Sequence, residues 1–210
     1  TKTSYAMFLL QSILQTAKEP EKIAVIILNV KQGDLLRLDE RGPQLDASQM
    51  EMWEALGLEP NPFVHVHYLL PRGSNGSANS FVVPNIHTLY AYDLDSAADK
   101  LDLLFTNVSD PTNTMESIIG DIMQGLEGRG DPAFKNVHSW GQLLYNQPLF
   151  DPNEEKSKNF GDNRASSVGK FRRHLRRLVE TRQTGIFVDS RATNEKVLAD
   201  EIVNIKGGHT

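Results

Sequence analysis

The chain of 210 residues contains no cysteine. Disulfides and thiolate metal sites are therefore excluded, and a cytoplasmic setting is the expectation. Long hydrophobic runs are missing too. The longest, such as Ile23–Leu28, fall far short of a bilayer span, so no membrane association is expected. The opening residues lack a basic region and a small-residue cleavage site, and no signal peptide is read there. An excess of positive charge is also missing: 22 Lys and Arg stand against 27 Asp and Glu, a formal net charge of −5. The surface as a whole does not advertise nucleic-acid binding, which would have to come from a local patch. What is present is ordinary for a globular protein, with 39% hydrophobic and 23% charged residues. The length suffices for the core of one domain, or for part of a larger one.

The opening, Thr1-Lys2-Thr3-Ser4-Tyr5-Ala6, runs into the apolar stretch Met7–Leu14. It reads as the end of a phosphate-binding loop entering a helix. Such a loop points backbone N–H groups and a helix N-terminus at an anion. In the motif G-x-x-x-x-G-K-[ST] the lysine reaches the phosphates and the hydroxyl holds Mg²⁺. Here Lys2 and Thr3 occupy the last two positions, and Thr1 stands where the last glycine would be. The alternative is a helix start with a surface lysine. A helix is expected over Ser4–Ala17, apolar on most faces and hence buried. The run Ile23–Val30 follows, continuous and β-branched, as a strand covered on both sheet faces would be. Together these predict a parallel α/β sheet. Asn29-Val30-Lys31-Gln32-Gly33-Asp34 then leaves the carboxyl end of that strand, the edge where open α/β sheets bind ligands. Lys31 can contact phosphate and Asp34 can orient water or a metal-bound water. A turn with solvated charges reads equally well.

Further along, Asp46 or Ser48 caps a helix over Gln49–Leu56 that Gly57 ends. A strand is expected over Phe63–Leu70. Its alternating His65 and His67 form an H-x-H pair able to hold a metal, although ordinary strand histidines account for it as well. The segments 71–80 and 146–165 read as loop-rich insertions. Short strand pieces are expected at Phe81–Val83 and His87–Tyr92. Helices follow over Ser96–Phe105 (capped by Asp93 or Asp95), Thr114–Leu126 and Val137–Tyr145. A short strand, Ile186–Asp189, precedes a helix over Glu195–Val203. The one basic feature is Lys170–Arg182. Phe171, Leu175 and Leu178 form its packing stripe, and Lys170, Arg172, Arg173, Arg176, Arg177 and Arg182 cover the rest. Such a face can contact a phosphate backbone or reach a neighbour's nucleotide site as an arginine finger. It can equally be a solvated helix with i,i+4 pairing of Arg173 or Arg176 with Glu180.

Four segments carry a family resemblance: TKTSYAMFLLQSIL, IAVIILNVKQGDLLRLD, MWEALGL, and VGKFRRHLRRLVE followed by GIFVD. In this order the chain resembles the HerA-like members of the HerA/FtsK superfamily of P-loop ATPases, in particular the bacterial type encoded in defence operons. The resemblance implies a RecA-like P-loop NTPase core, a mostly parallel sheet with helices on both faces, of which residues 1–210 would be an internal portion. It implies that Lys2 binds ATP phosphates, that Thr3 binds Mg²⁺, that Ser4, Asn29 and Lys31 line the nucleotide, and that Asp34 is catalytic. Arg172, Arg173, Arg176 and Arg177 become candidates for trans arginines or DNA contacts. A hexameric ring on DNA, working with a nuclease or another effector protein, is the implied assembly. No acidic strand end reads as a Walker B, so ATP hydrolysis by this stretch alone is not expected. A non-hydrolysing nucleotide- or partner-binding module of a larger assembly is the competing expectation. A metal-dependent hydrolase built on His65, His67 and an aspartate ranks below both.

Overall fold

The residues Lys2–Thr16 form the first helix, α1, in a computed structural model of the chain. It describes residues 2–29, 33, 35–42, 44–110, 112–145, 160–161, 163–180 and 185–206, with the side chains at 2 and 206 outside the description. Ala6, Met7, Leu9, Leu10, Gln11, Leu14 and Gln15 of α1 are good helix formers that lose little rotamer freedom there. The chain divides into two compact units. One draws on Thr1–Tyr68, Ser80–His87 and Glu201–Thr210, the other on Leu69–Asn79 and Thr88–Asp200.

In the first unit Phe8 of α1 meets Trp53 of a second helix, α2 (Ala47–Ala55), edge to face with ring centroids 5.1 Å apart. Asp46 caps α2. Its carboxylate accepts the Gln49 amide at 2.8 Å, and the Gln49 side chain accepts the Asp46 amide at 2.9 Å, a reciprocal capping box. Gln15 holds the 59–61 segment by a paired amide exchange with the Glu59 backbone, at 2.6 and 2.8 Å. The buried Tyr68 hydroxyl accepts the Leu38 amide at 2.8 Å and donates to Asp39 at 2.5 Å.

Three expectations fail in this unit. Helix α1 is not buried all round, for Tyr5, Leu9 and Ile13 are exposed along one stripe. The run 23–29 forms no strand, and Ile23, Val25, Ile26 and Leu28 are exposed. Val30, the last residue of the expected strand, lies outside the described residues. The expected strand Phe63–Leu70 contributes only its last two residues to a strand, and His65 takes a left-handed backbone at φ 56°. The physical reason is common to the last two. β-branched composition favours a strand only where neighbours complete the ladder and cover its faces. No such neighbour stands beside 23–29 among the described residues.

The second unit holds a three-stranded parallel sheet in the order β1 (Leu69–Pro71), β2 (Thr88–Tyr90), β3 (Glu195–Lys196). Its register places Leu70 opposite Leu89, and Leu89 opposite Glu195. Past β1 the chain turns away into the loop after Arg72, and the 185–188 segment takes the vacated place. Gly185 N–H donates to Arg72 O at 3.0 Å, and Tyr92 exchanges bonds with Ile186 and Val188 at 2.6 and 3.1 Å. An α/β architecture with a small parallel sheet is therefore present. The helix expected from Glu195 gives way to β3, and α7 follows over Leu198–Lys206. Phe81–Val83 forms no strand.

Helices pack into one core in this unit. They are α3 (Leu94–Ala97, capped by Asp93), a 3-10 stretch Ala98–Phe105, α4 (Thr114–Leu126), α5 (Trp140–Tyr145) and α6 (Ala165–Val179). The expected helix Ser96–Phe105 is thus split, with a kink at Lys100. Leu101, Ile118, Ile122, Phe134, Leu143 and Leu175 are among its fully buried side chains. Phe105 stacks on Phe171 with centroids 4.7 Å apart. Trp140 buries its ring and donates Nε1–H to Tyr92 O at 3.0 Å, which satisfies its one polar atom.

Candidate functional site

Lys2, Thr3 and Ser4 form the first turn of α1. The first four N–H groups of any α-helix lack intrahelical partners and carry the positive end of the helix dipole, so this turn has the local chemistry that a phosphate needs. Thr3 is half-buried and Ser4 exposed. Asn29 is half-buried in the same unit, and both it and Ser4 hold interactions within the protein. Lys31, Asp34 and the Lys2 side chain lie outside the described residues. Thr3 and Ser4 are thus brought together on one helical turn. His65 and His67 are exposed, and the left-handed backbone at His65 removes the shared strand face that an H-x-H metal pair requires. Among the described residues no group of three or more His, Asp or Glu side chains converges as a metal site.

The second unit assembles a polar cluster that sequence reasoning missed. Arg72, just past β1, donates Nε–H to Glu195 Oε1 at 2.6 Å and Nη1–H to the carbonyls of Gly73 and Gly185 at 3.1 and 3.2 Å. Glu195 is buried, and its other oxygen accepts the Ala192 amide at 3.0 Å. One residue triplet past β2, Asp93 accepts Arg191 Nε–H at 2.9 Å and the Ser96 amide at 3.1 Å. Burial alone would raise the Asp93 carboxyl. The bonds from Ser96 and Arg191 outweigh it and hold the group below its ordinary value. Both carboxylates are engaged by cations and amides, so the cluster fastens strand ends and is not an acid–base pair. The partners stand 123 and 98 residues apart in sequence, and no local signal announces such pairs.

The four arginines assigned to α6 divide into two kinds. Arg172 donates Nε–H to the Leu144 carbonyl at 2.5 Å. Arg176 donates to Glu180 at 2.7 Å and lies over the Tyr145 ring at 5.3 Å, and the Tyr145 hydroxyl donates to the same carboxylate. The Tyr145 and Arg176 bonds lower the Glu180 carboxyl. The i,i+4 pair expected between Arg176 and Glu180 is present. Arg173 and Arg177 are exposed, as is Lys170; Arg182 lies outside the described residues.

Comparison with protein-family models, curated proteins and solved structures finds no match to this chain.

Proposed function

We propose that this chain is part of an ATP-dependent DNA translocase subunit of the HerA type, with a RecA-like P-loop core, acting as a hexameric ring on DNA with an effector protein. The observation that carries the reading is the Lys-Thr-Ser triplet in the first turn of a fifteen-residue helix. A phosphate-binding lysine and a Mg²⁺-binding hydroxyl have to stand at that point of the fold. The residues fit the group: Thr3 supplies a hydroxyl, Lys2 a cation, and the turn the positive end of the helix dipole. Bound Mg²⁺ would neutralise phosphate charge, which is the larger part of phosphoryl-transfer catalysis. Lys2 and the first-turn amides then hold the β- and γ-phosphates, and Ser4, Asn29 and Lys31 line the nucleotide. Asp34 orients the attacking water.

A second support is the exposed apolar run Ile23–Leu28. Contiguous exposed apolar side chains signal a surface that something covers, and in this reading a neighbouring subunit of the ring covers them. The same observation favours a second reading, a partner-binding module without hydrolysis.

ATPγS binding in the presence of Mg²⁺ separates the two readings. It should be measured on this chain with and without Lys2→Ala. Loss of binding on Lys2→Ala is the expected result. Equal binding by the variant, or none by either protein, would overturn the ATPase reading and leave the module.

A further inference from the structure

We infer that Lys170, Arg173 and Arg177, and not Arg172 or Arg176, form a docking stripe for the phosphate backbone of duplex DNA. The inference deepens the function proposed above, and rests on it only for the choice of DNA among polyanions. Its basis is the way α6 spends its cations. Val168, Phe171 and Leu175 are buried and fix which face meets the core. Arg172 and Arg176 flank that face and are held by Leu144, Glu180 and Tyr145. Residues 170, 173 and 177 follow steps of three and four, so they share one face, directly opposite the buried stripe. All three are exposed, and among the described residues no ion pair engages them. Ser166, also exposed, extends the same stripe by one turn and adds a hydroxyl donor.

The arrangement selects its partner. At about 1.5 Å per residue the three cations span about 10 Å of helix, an extended row and not a convergent pocket. A single phosphate or nucleotide would need convergence, whereas a line of backbone phosphates needs a row. A membrane surface would need apolar side chains on the outward face beside the cations. In α6 the apolar side chains face inward, and the outward stripe is Ser, Lys, Arg and Arg. The chain carries net −5 overall, so attraction to a polyanion has to be local, and this stripe is local.

The test is fluorescence anisotropy of a labelled 30-base-pair duplex titrated with the protein across a salt series. Wild type, the Lys170→Gln/Arg173→Gln/Arg177→Gln variant and Arg176→Gln are compared. Three lost phosphate contacts should make the slope of log K against log salt shallower by about 2.7, at about 0.9 per contact. Between about 50 and 200 mM salt the wild type then loses about 40-fold more affinity than the triple variant. Arg176→Gln should keep the wild-type slope, and Arg173→Lys/Arg177→Lys should keep it as well. Circular dichroism of the triple variant should match wild type. An unchanged slope in the triple variant overturns the inference, as does stripe-dependent binding to phosphatidylserine vesicles or an acidic protein with none to the duplex. Lys2→Ala should abolish ATPγS binding and leave the duplex slope intact, so failure of the ATPase reading and failure of the stripe are read separately.

Discussion

Arg72 Nε and Glu195 Oε1 meet at 2.6 Å although 123 residues separate them, and Glu195 is only 7% exposed. The pair fastens the end of β1 to the start of β3 across β2. Taking one partner away leaves a buried charge uncompensated, which costs more than the pair itself contributes. Arg72→Met should therefore destabilise the protein by about 3 kcal/mol, read as a lower denaturation midpoint. Arg72→Met/Glu195→Leu should recover most of that loss. A double variant as unstable as the single would show that the lost packing of the arginine stem, and not the orphaned carboxylate, sets the cost.

Two glycines of α4 should respond in opposite directions. At Gly125 a Cβ would lie 2.5 Å from the Phe134 ring, in the buried core. Gly125→Ala is expected to cost about 1–3 kcal/mol through overpacking. At Gly120 a Cβ meets nothing within 4 Å. Gly120→Ala should stabilise the same helix by about 0.5–1 kcal/mol, since alanine loses less backbone entropy there. Thermal unfolding of the two variants measures both signs in one helix.

Acid should weaken the Asp93–Arg191 contact in a defined direction. The folded carboxyl is held below its ordinary value, so it binds its proton less readily folded than unfolded. Its contribution is complete above the unfolded value, near about 3.9, and is lost as pH falls through the lowered folded value. The stability gap between wild type and Asp93→Asn should hold steady at neutral pH and narrow below about pH 4. A gap that persists undiminished into stronger acid would mean that the lost cap of α3, and not the charge, accounts for it.

Helix α4 was legible to the residue, because Met115, Ile118, Ile119 and Ile122 declare a 3.6-residue stripe between a turn and a glycine cluster. Phe171 and Leu175 likewise announced the buried face of α6. Strands were legible only in part: β2 falls inside the expected His87–Tyr92, and Phe187 of the expected Ile186–Asp189 bridges in parallel to Tyr92. Ile23–Leu28 has the composition of a central strand and forms none, while Glu195–Lys196 has no strand signal and pairs with β2. A strand is completed by its neighbours, and register with a partner a hundred residues away leaves no local mark. The division among the α6 arginines was hidden for a similar reason: Leu144 and Tyr145, which hold Arg172 and Arg176, come from another helix.

The run Ile23–Leu28 gives the sharpest separation between local composition and fold. Leu28 is 78% exposed and Ile26 48% exposed, so an aspartate at either position keeps its hydration in this structure. Leu28→Asp and Ile26→Asp should change the unfolding free energy of this chain, read from urea titration, by less than about 0.5 kcal/mol. At the centre of a covered sheet the same change would bury an unpaired carboxylate and remove an aliphatic side chain, at a cost beyond about 3 kcal/mol. If the run is a surface that assembly covers, the substitutions also lower self-association in sedimentation velocity while stability stays put. Unchanged stability with unchanged association would leave the apolar run without a partner among copies of this chain, and would point to a different protein as what covers it.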